Sequence, residues 1–209
     1  MNIVLLTNPN VVEIGELKRY GQVYTSEVTS LSSDVDLVIS YCHNHKIKEP
    51  LISGPKYGCI NFHPAPLPEY KGLAVYNFGI LNEETEWGVT CHYVTPEFDK
   101  GEIISQTRFP IEGNHTAQSL RDLSHQYLWK EFLYFLENRD KLLSKPRVPQ
   151  PKEGNYYSRT MLERERIVSP EDPPDLIDKK IRAFHCPPHK GAAIIVGNKE
   201  YELKYKEQR

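Results

Sequence analysis

The sequence predicts an α/β fold built on an open, mostly parallel sheet, and three features of its pattern carry that prediction. Short apolar strand signals alternate with helical spacing through the first half of the chain, the order that gives a parallel sheet. Residues 35–41 (VDLVISY) are nearly all apolar, as strands covered on both faces tend to be. Two further strand runs, residues 57–62 and 88–95, each end at a loop carrying chemically competent polar side chains. In an open α/β sheet, ligands bind outside the carboxyl ends of the strands.

Taken in order, residues 1–7 (MNIVLLT) read as a buried first strand closed by Asn8-Pro9-Asn10. Residues 11–20 have weak helical spacing through Ile14 and Leu17, with Gly21 as the stop. Residues 22–25 supply a second strand. The stretch 26–34 is too short for a full crossover helix, so the N-terminal half is expected to be trimmed, with one helix shortened or lost. No Gly-x-Gly-x-x-Gly follows the first strand, and no dinucleotide is expected. After Asn61-Phe62-His63, the prolines Pro64, Pro66 and Pro68 stop both strand and helix, because proline fixes φ and donates no backbone N–H. Residues 101–110 alternate as an edge or hairpin strand. Residues 116–138 predict a long helix with an apolar stripe through Leu120, Leu128, Phe132 and Phe135, capped by Thr116. Residues 141–154 are rich in proline and lysine and read as a linker. The expected organisation is a main domain over 1–140, this linker, and a small C-terminal subdomain over 155–209. That subdomain should hold a short helix over 175–183 and a hairpin about Gly197-Asn198.

The 209 residues suit one ordinary domain plus an appendage. A net charge of -2 leaves no basic footprint for nucleic acid, and no nucleic-acid partner is expected. The four cysteines form no Cys-x-x-Cys pair, which suits buried free thiols in a reducing compartment. The chain opens on a strand rather than a leader, and no run approaches the ~18 consecutive apolar residues that span a bilayer. A cytoplasmic location without a membrane partner is therefore expected. His43-x-His45, and His185, Cys186 and His189, invite a metal. Neither group has its remaining ligands in sight, and Pro187-Pro188 suits a rigid turn, so no metal is expected.

The polar residues at the two strand ends have a definable chemistry. Asn61 can donate two hydrogen bonds to an oxygen that becomes negative during attack on a carbonyl. His63 can carry a proton near neutral pH. Asp99 can orient that imidazole, or pass protons itself if burial raises its pKa. There is no Gly-x-Ser-x-Gly elbow and no Cys placed beside the His, which points to acyl-type transfer directly between two bound substrates. By residue type alone the bland alternative stays open: an Asn-x-His after a strand, or an Asp before Lys-Gly, is equally a hydrogen-bonded turn.

Four ordered elements extend this reading: Asn61-x-His63-Pro64, Leu67-Pro68-x-Tyr70-Lys71-Gly72, Gly88-Val89-Thr90 and Phe98-Asp99-x-Gly101. Together they resemble the formyltransferase family, which uses 10-formyltetrahydrofolate and includes glycinamide ribonucleotide and methionyl-tRNA formyltransferases. The longer run HPAPLPEYKGLAVYNF from His63 resembles the branch that formylates nucleotide-linked amino sugars. Residues 155–159 (NYYSR) and the stretch after Arg182 are similar to the C-terminal part of methionyl-tRNA and sugar formyltransferases.

The resemblance implies a Rossmann-like, mostly parallel sheet whose residues 1–140 form the catalytic domain, with Asn61, His63 and Asp99 as catalytic residues. It implies N10-formyltetrahydrofolate as co-substrate, held by Cys42, His43, Asn44, His45, Val94, Thr95 and Phe98. The implied acceptor is a nucleotide-linked amino-dideoxysugar of the 4-amino-4,6-dideoxyglucose type. Its contacts are expected from Tyr70, Lys71, Tyr76 and Asn77, with Arg159 and Lys152 in reach of a diphosphate. A homodimer is also implied. Two alternatives stand beside this reading: a methionyl-tRNA formyltransferase-like enzyme, and a catalytically silent protein that binds folate or nucleotide sugar.

Overall fold

The computed structural model describes residues 1–11, 13–151 and 153–206. Its centre is a six-stranded sheet. The chain enters through β1 (Ile3–Leu6), α1 (Ile14–Leu17), β2 (Gln22–Tyr24), β3 (Leu37–Tyr41) and β4 (Cys59–His63). It continues through β5 (Tyr70–Gly72), α2 (Val75–Leu81), β6 (Glu86–Tyr93), β7 (Ile103–Pro110) and the long helix α3 (Ala117–Leu143). Strand order is β2-β1-β3-β4-β6-β7. The first four strands run parallel, and β6 and β7 are added antiparallel at one edge. This is the α/β, mostly parallel fold that the sequence predicts.

The trimmed N-terminal half takes a definite form. α1 has only four residues, and no helix stands between β2 and β3 or between β3 and β4. On that face Val28, Leu31, Ile47 and Leu51, all from connecting segments, cover a small cluster with Val4, Leu6, Val38 and Cys59. The opposite face carries the main core. There α3 lays Phe132 and Phe135 edge-on against Phe62 of β4, at ring distances of 5.4 and 5.9 Å. Helix α3 begins as predicted. The Thr116 hydroxyl accepts from the Ser119 N–H (3.1 Å), and the Ser119 hydroxyl accepts from the Thr116 N–H (3.0 Å), a reciprocal cap. The helix runs past Asn138 to Leu143 because Leu142 continues the buried stripe.

Beyond α3 come β8 (Asn155–Tyr157), α4 (Arg159–Glu165), β9 (Ile167–Val168), α5 (Pro174–Ala183), β10 (Ala193–Val196) and β11 (Lys199–Glu202). The expected short helix and hairpin are α5 and β10–β11. Helix α4 was not expected, since none of its residues is buried and its sequence carries no apolar stripe. This C-terminal part packs against the preceding elements. β8 pairs with β5, Tyr157 stacks on Phe78 at 4.1 Å and on Tyr70 at 5.3 Å, and one apolar cluster runs from the sheet to Phe184 and Ala192.

Candidate active site

Alternation along β4 sends Phe62 into the core and Asn61 and His63 to the other face. Register then builds a row across three strands. Ser40 of β3 lies opposite Asn61, and Asn61 lies opposite His92 of β6. The Ser40 hydroxyl donates to Asn61 Oδ1 at 2.7 Å, and Asn61 Nδ2 stands 3.1 Å from His92 Nε2. His92 Nδ1 lies 2.8 Å from the Tyr93 carbonyl, which can only accept, so Nδ1 carries the proton and Nε2 accepts from Asn61. The pairing of β6 with β7 shifts register between Cys91 and His92. Asn61 is thereby held in one orientation. One of its two amide hydrogens is already donated to His92, leaving one for a ligand rather than the two that the residue type allows.

The same logic assigns His63. Its Nε2 lies 2.7 Å from the Tyr70 carbonyl oxygen and so bears the proton, which leaves the lone pair on Nδ1. That nitrogen is 3.7 Å from Asp99 Oδ1, and His92 Nε2 is 3.6 Å from the same oxygen. The His92 lone pair is engaged by Asn61, so the carboxylate oxygen faces the one free lone pair, on His63 Nδ1, and a proton arriving there turns that repulsion into attraction. Asp99 sits at φ 55, a left-handed conformation that Asp tolerates better than most residues. Its other oxygen accepts from the Gly72 N–H at 2.8 Å. Its backbone carbonyl accepts from the side chain of Gln150 at 3.1 Å, which also donates to the Gly101 carbonyl. Gln150, from the expected linker over 141–154 whose first three residues instead extend α3, thus straps the Asp99 loop in place.

Burial pushes the His92 imidazole down to about 4, against the pull of the Asp99 carboxylate towards protonation. The unfolded ring, near 6.5, binds a proton that the folded one refuses, so stability falls as pH drops from about 6.5 towards about 4. Chemical denaturation of the wild type and of His92→Gln across that range should show a steeper loss for the wild type. Parallel pH profiles would remove His92 as the group responsible.

The proline loop is anchored by side chains from β6 and β7, as a segment short of backbone donors requires. The Thr90 hydroxyl donates to the Ala65 carbonyl and accepts from the Leu67 N–H, the Gln106 amide donates to the Leu67 carbonyl, and the Trp87 indole donates to the Pro64 carbonyl. Beside this loop opens a cleft of about 820 Å³ whose lining includes His63, Tyr76, Asn77 and residues of α3, α4 and the turn after α5.

Of the expected acceptor contacts, Tyr76 and Asn77 line this cleft. The Asn77 amide donates to the Ala183 carbonyl at 2.7 Å. The Tyr76 hydroxyl is buried without a partner among the described residues, and burial holds it well above the usual phenol range. Tyr70 and Lys71 lie apart from them: both side chains are buried and neither lines the cleft. Tyr70 packs on Trp87, and its hydroxyl donates to Glu84 and accepts from Asn82, so it enters the site only through its backbone carbonyl. Lys152 lies outside the described residues.

The expected donor contacts fall on two loops that meet where Lys46 Nζ lies 5.1 Å from the centre of the Phe98 ring, itself 52% exposed. Asn44 and His45 are exposed, and His43 Nδ1 is 3.3 Å from the Thr7 carbonyl. Cys42 is half-buried at φ 55, and burial, assisted by Glu13, pushes its thiol up to about 12. Val94 packs on the small apolar cluster and the Thr95 hydroxyl donates to the Glu97 carbonyl. Ser40, His92 and Gln150 were not singled out from the sequence. Ser40 and His92 each sit within an apolar strand run, and only the pairing of β3, β4 and β6 reveals them.

A family model described as "Formyl transferase" matches residues 15–130. The chain is 30% identical over 176 residues to a methionyl-tRNA formyltransferase of Geobacillus thermodenitrificans, covering 83% of this chain and 52% of that one. It is 32% identical over 171 residues to a GDP-perosamine N-formyltransferase of Brucella melitensis, covering 80% and 64% respectively. The chain therefore spans between about half and two thirds of the length of these relatives. Among solved structures, a 4-N formyltransferase from Francisella tularensis superposes with a TM-score of 0.82 over 100% of this chain and 98% of that one, at 18% identity. The formyltransferase PseJ from Anoxybacillus kamchatkensis, solved with UDP-4,6-dideoxy-4-formamido-L-AltNAc and tetrahydrofolate, has a TM-score of 0.65 at 27% identity, covering 78% and 89%.

Proposed function

The chain belongs to the formyl transferase family, and from that premise we propose that it moves a formyl group from N10-formyltetrahydrofolate to the amine of a nucleotide-linked amino-dideoxysugar. The observation that carries this reading is the convergence of Asn61, His63 and Asp99 at one point beside the cleft of about 820 Å³. The acceptor reacts as the neutral amine, since an ammonium has no lone pair. Asn61 directs its remaining N–H at the formyl oxygen as the new C–N bond forms and negative charge collects there. His63 takes the proton from the attacking nitrogen on Nδ1, and Asp99, 3.7 Å away, stabilises the imidazolium. The same pair returns that proton to N10 as the old C–N bond breaks, so protons balance and the three residues end as they began.

The loops at Cys42–His45 and Val94–Phe98 suit the folate. The exposed Phe98 ring offers a flat apolar face, and the Thr7 hydroxyl at the end of β1 is a buried polar atom without a partner among the described residues. The tetrahydrofolate bound to the 27%-identical PseJ supports the same donor. That protein and the GDP-perosamine relative support a sugar acceptor, and we take the 4-amino-4,6-dideoxyglucose type as the first candidate. Methionyl-tRNA formylation is the second reading, supported by the 30%-identical relative; a net charge of -2 weighs against a polyanion spread over the surface. Among the described residues no helix is long and apolar enough to cross a membrane. We expect a cytoplasmic homodimer, which sedimentation would test.

A formyl-transfer assay with N10-formyltetrahydrofolate and nucleotide-linked 3- and 4-amino-dideoxysugars tests the proposal. Turnover on one of them supports it, and silence across the panel alongside formylation of methionyl-tRNA would replace it with the second reading. Asn61→Ala should lower kcat by roughly 10²–10³, the usual effect of losing one oxyanion donor. A change below threefold would show that Asn61 does not bind the formyl oxygen.

A further inference from the structure

Asp99 sits on a loop at the surface, yet its carboxylate works only at a fixed place beside His63 Nδ1. We propose that Gln150 is the positioning residue that sets this place, so that the segment after α3 tunes the catalytic pair from outside the cleft. This rests on the roles given above to His63 and Asp99. The loop does not hold Asp99 by itself. Its residues Pro96, Glu97, Phe98 and Lys100 are exposed. The Thr95 hydroxyl donates to the Glu97 carbonyl and Lys100 pairs with Glu97 at 2.7 Å, and neither contact reaches Asp99. Asp99 is at φ 55, and a residue other than glycine keeps such a backbone only where its surroundings impose it.

The Gln150 amide supplies that constraint. Its Nε2 donates to the carbonyls on both sides of Lys100, that of Asp99 at 3.1 Å and that of Gly101, so both amide hydrogens are spent and the turn is pinned at two points. The Gln150 Oε1 is buried without a partner among the described residues. A side chain that served packing alone has no reason to carry that cost, since methionine fills a similar space without it.

Gln150 is itself held from both directions. Upstream, the Arg147 guanidinium lies 3.7 Å from the centre of the Tyr93 ring at the end of β6. Downstream, Gly154, at φ 125, lies so close to the Pro68 carbonyl that no side chain fits there, and the Asn155 N–H donates to the Glu69 carbonyl at 3.1 Å. The chain then enters β8, which pairs with β5. β5 is the strand whose Tyr70 carbonyl accepts from His63 and whose Gly72 N–H donates to the Asp99 carboxylate. One segment therefore ties Asp99 and His63 to a common frame. At 3.7 Å no direct hydrogen bond fixes the gap between the pair, so the backbone of the loop decides it. A misplacement of about 1 Å can cost roughly 10² in rate.

Gln150→Met keeps the length of the side chain and removes its donors, and Gln150→Ala removes both. Each should lower kcat roughly tenfold or more, with KM for both substrates within about twofold of wild type. The decisive measurement is a double-mutant cycle with Asp99→Asn. In that background neither change should lower kcat further, because the carboxylate that Gln150 positions is gone. Val148→Ala, on the same segment at 68% exposure, should leave kcat and KM at wild-type values. Amide hydrogen exchange reads the place of Asp99 without any substrate. The Gly72 N–H, whose partner is the Asp99 carboxylate, should exchange roughly tenfold faster in Gln150→Met, while the adjacent Leu73 N–H, bonded to the Tyr157 carbonyl at 2.9 Å, keeps its rate. The proposal is overturned by a folded variant of either kind whose kcat is within about twofold of wild type, or by a loss that multiplies with that of Asp99→Asn. Unchanged Gly72 exchange overturns it too, as does failure of both variants to fold, which would make Gln150 a structural residue. Faster Gly72 exchange, with no sugar ever formylated by the wild type, defeats the proposed reaction and leaves Gln150 as the residue that positions Asp99.

Discussion

Asp99→Asn is expected to lower kcat by roughly 10³ or more while KM for both substrates moves little, within the range for losing a positioned acid–base group. Asparagine is the informative substitute because it tolerates the left-handed backbone at this position, φ 55, and its Oδ1 can still accept from the Gly72 N–H. What changes is the atom facing His63. In place of a carboxylate oxygen 3.7 Å from Nδ1, the variant presents an amide N–H able to donate to that nitrogen. The lone pair that must receive the amine proton is then occupied, and the charge that stabilises the imidazolium is gone. Folding should survive, since Gln150 still holds the loop through the backbone carbonyl. Steady-state kinetics together with a thermal melt separate the two effects. Turnover within tenfold of wild type would remove Asp99 from the mechanism.

Phe132→Ala should destabilise the chain by roughly 3–5 kcal/mol, the usual cost of emptying a large aromatic site in a packed core. Phe132 is fully buried and touches four rings: Trp129 at 5.1 Å, Tyr41 and Phe62 at 5.4 Å, and Tyr20 at 5.7 Å. Phe62 stands between Asn61 and His63, so this helix–sheet contact also fixes the strand that carries both. For a chain of this size the expected fall in Tm is on the order of 10 °C. Phe132→Leu, which refills most of the volume, should cost about half as much or less. Urea titrations of the two variants give the comparison, and a loss below about 1 kcal/mol for the alanine variant would mean the core closes over the cavity.

Much of this molecule was legible in local sequence. The apolar run of β3, the alternation of β4, the strand run of β6, the Thr116 cap and the Gly197-Asn198 turn each follow from side-chain period and backbone preference, which neighbouring residues settle among themselves. The spaced motif singled out Asn61, His63 and Asp99, and the fold brings the three side chains close together.

Other features needed the assembled fold. Nothing local to Ser40 or His92 says that they flank Asn61; that depends on β4 pairing parallel with β3 on one side and antiparallel with β6 on the other. Tyr70 reads as a loop aromatic suited to a ligand, yet the pairing of β5 with β8 and the stack with Tyr157 turn its ring inward and leave its carbonyl to orient His63. Gln150 and Lys190 lie far along the chain from the motif, and the docking of the C-terminal part brings one to the Asp99 loop and the other to the cleft. Sequence by itself determined the main strands and the long helix and put Asn61, His63 and Asp99 at strand ends, because dihedral preference and polarity are properties of short segments. Strand partners, side-chain tautomers and the far wall of the cleft were decided by tertiary structure alone, because they depend on contacts between segments that only long-range packing makes neighbours.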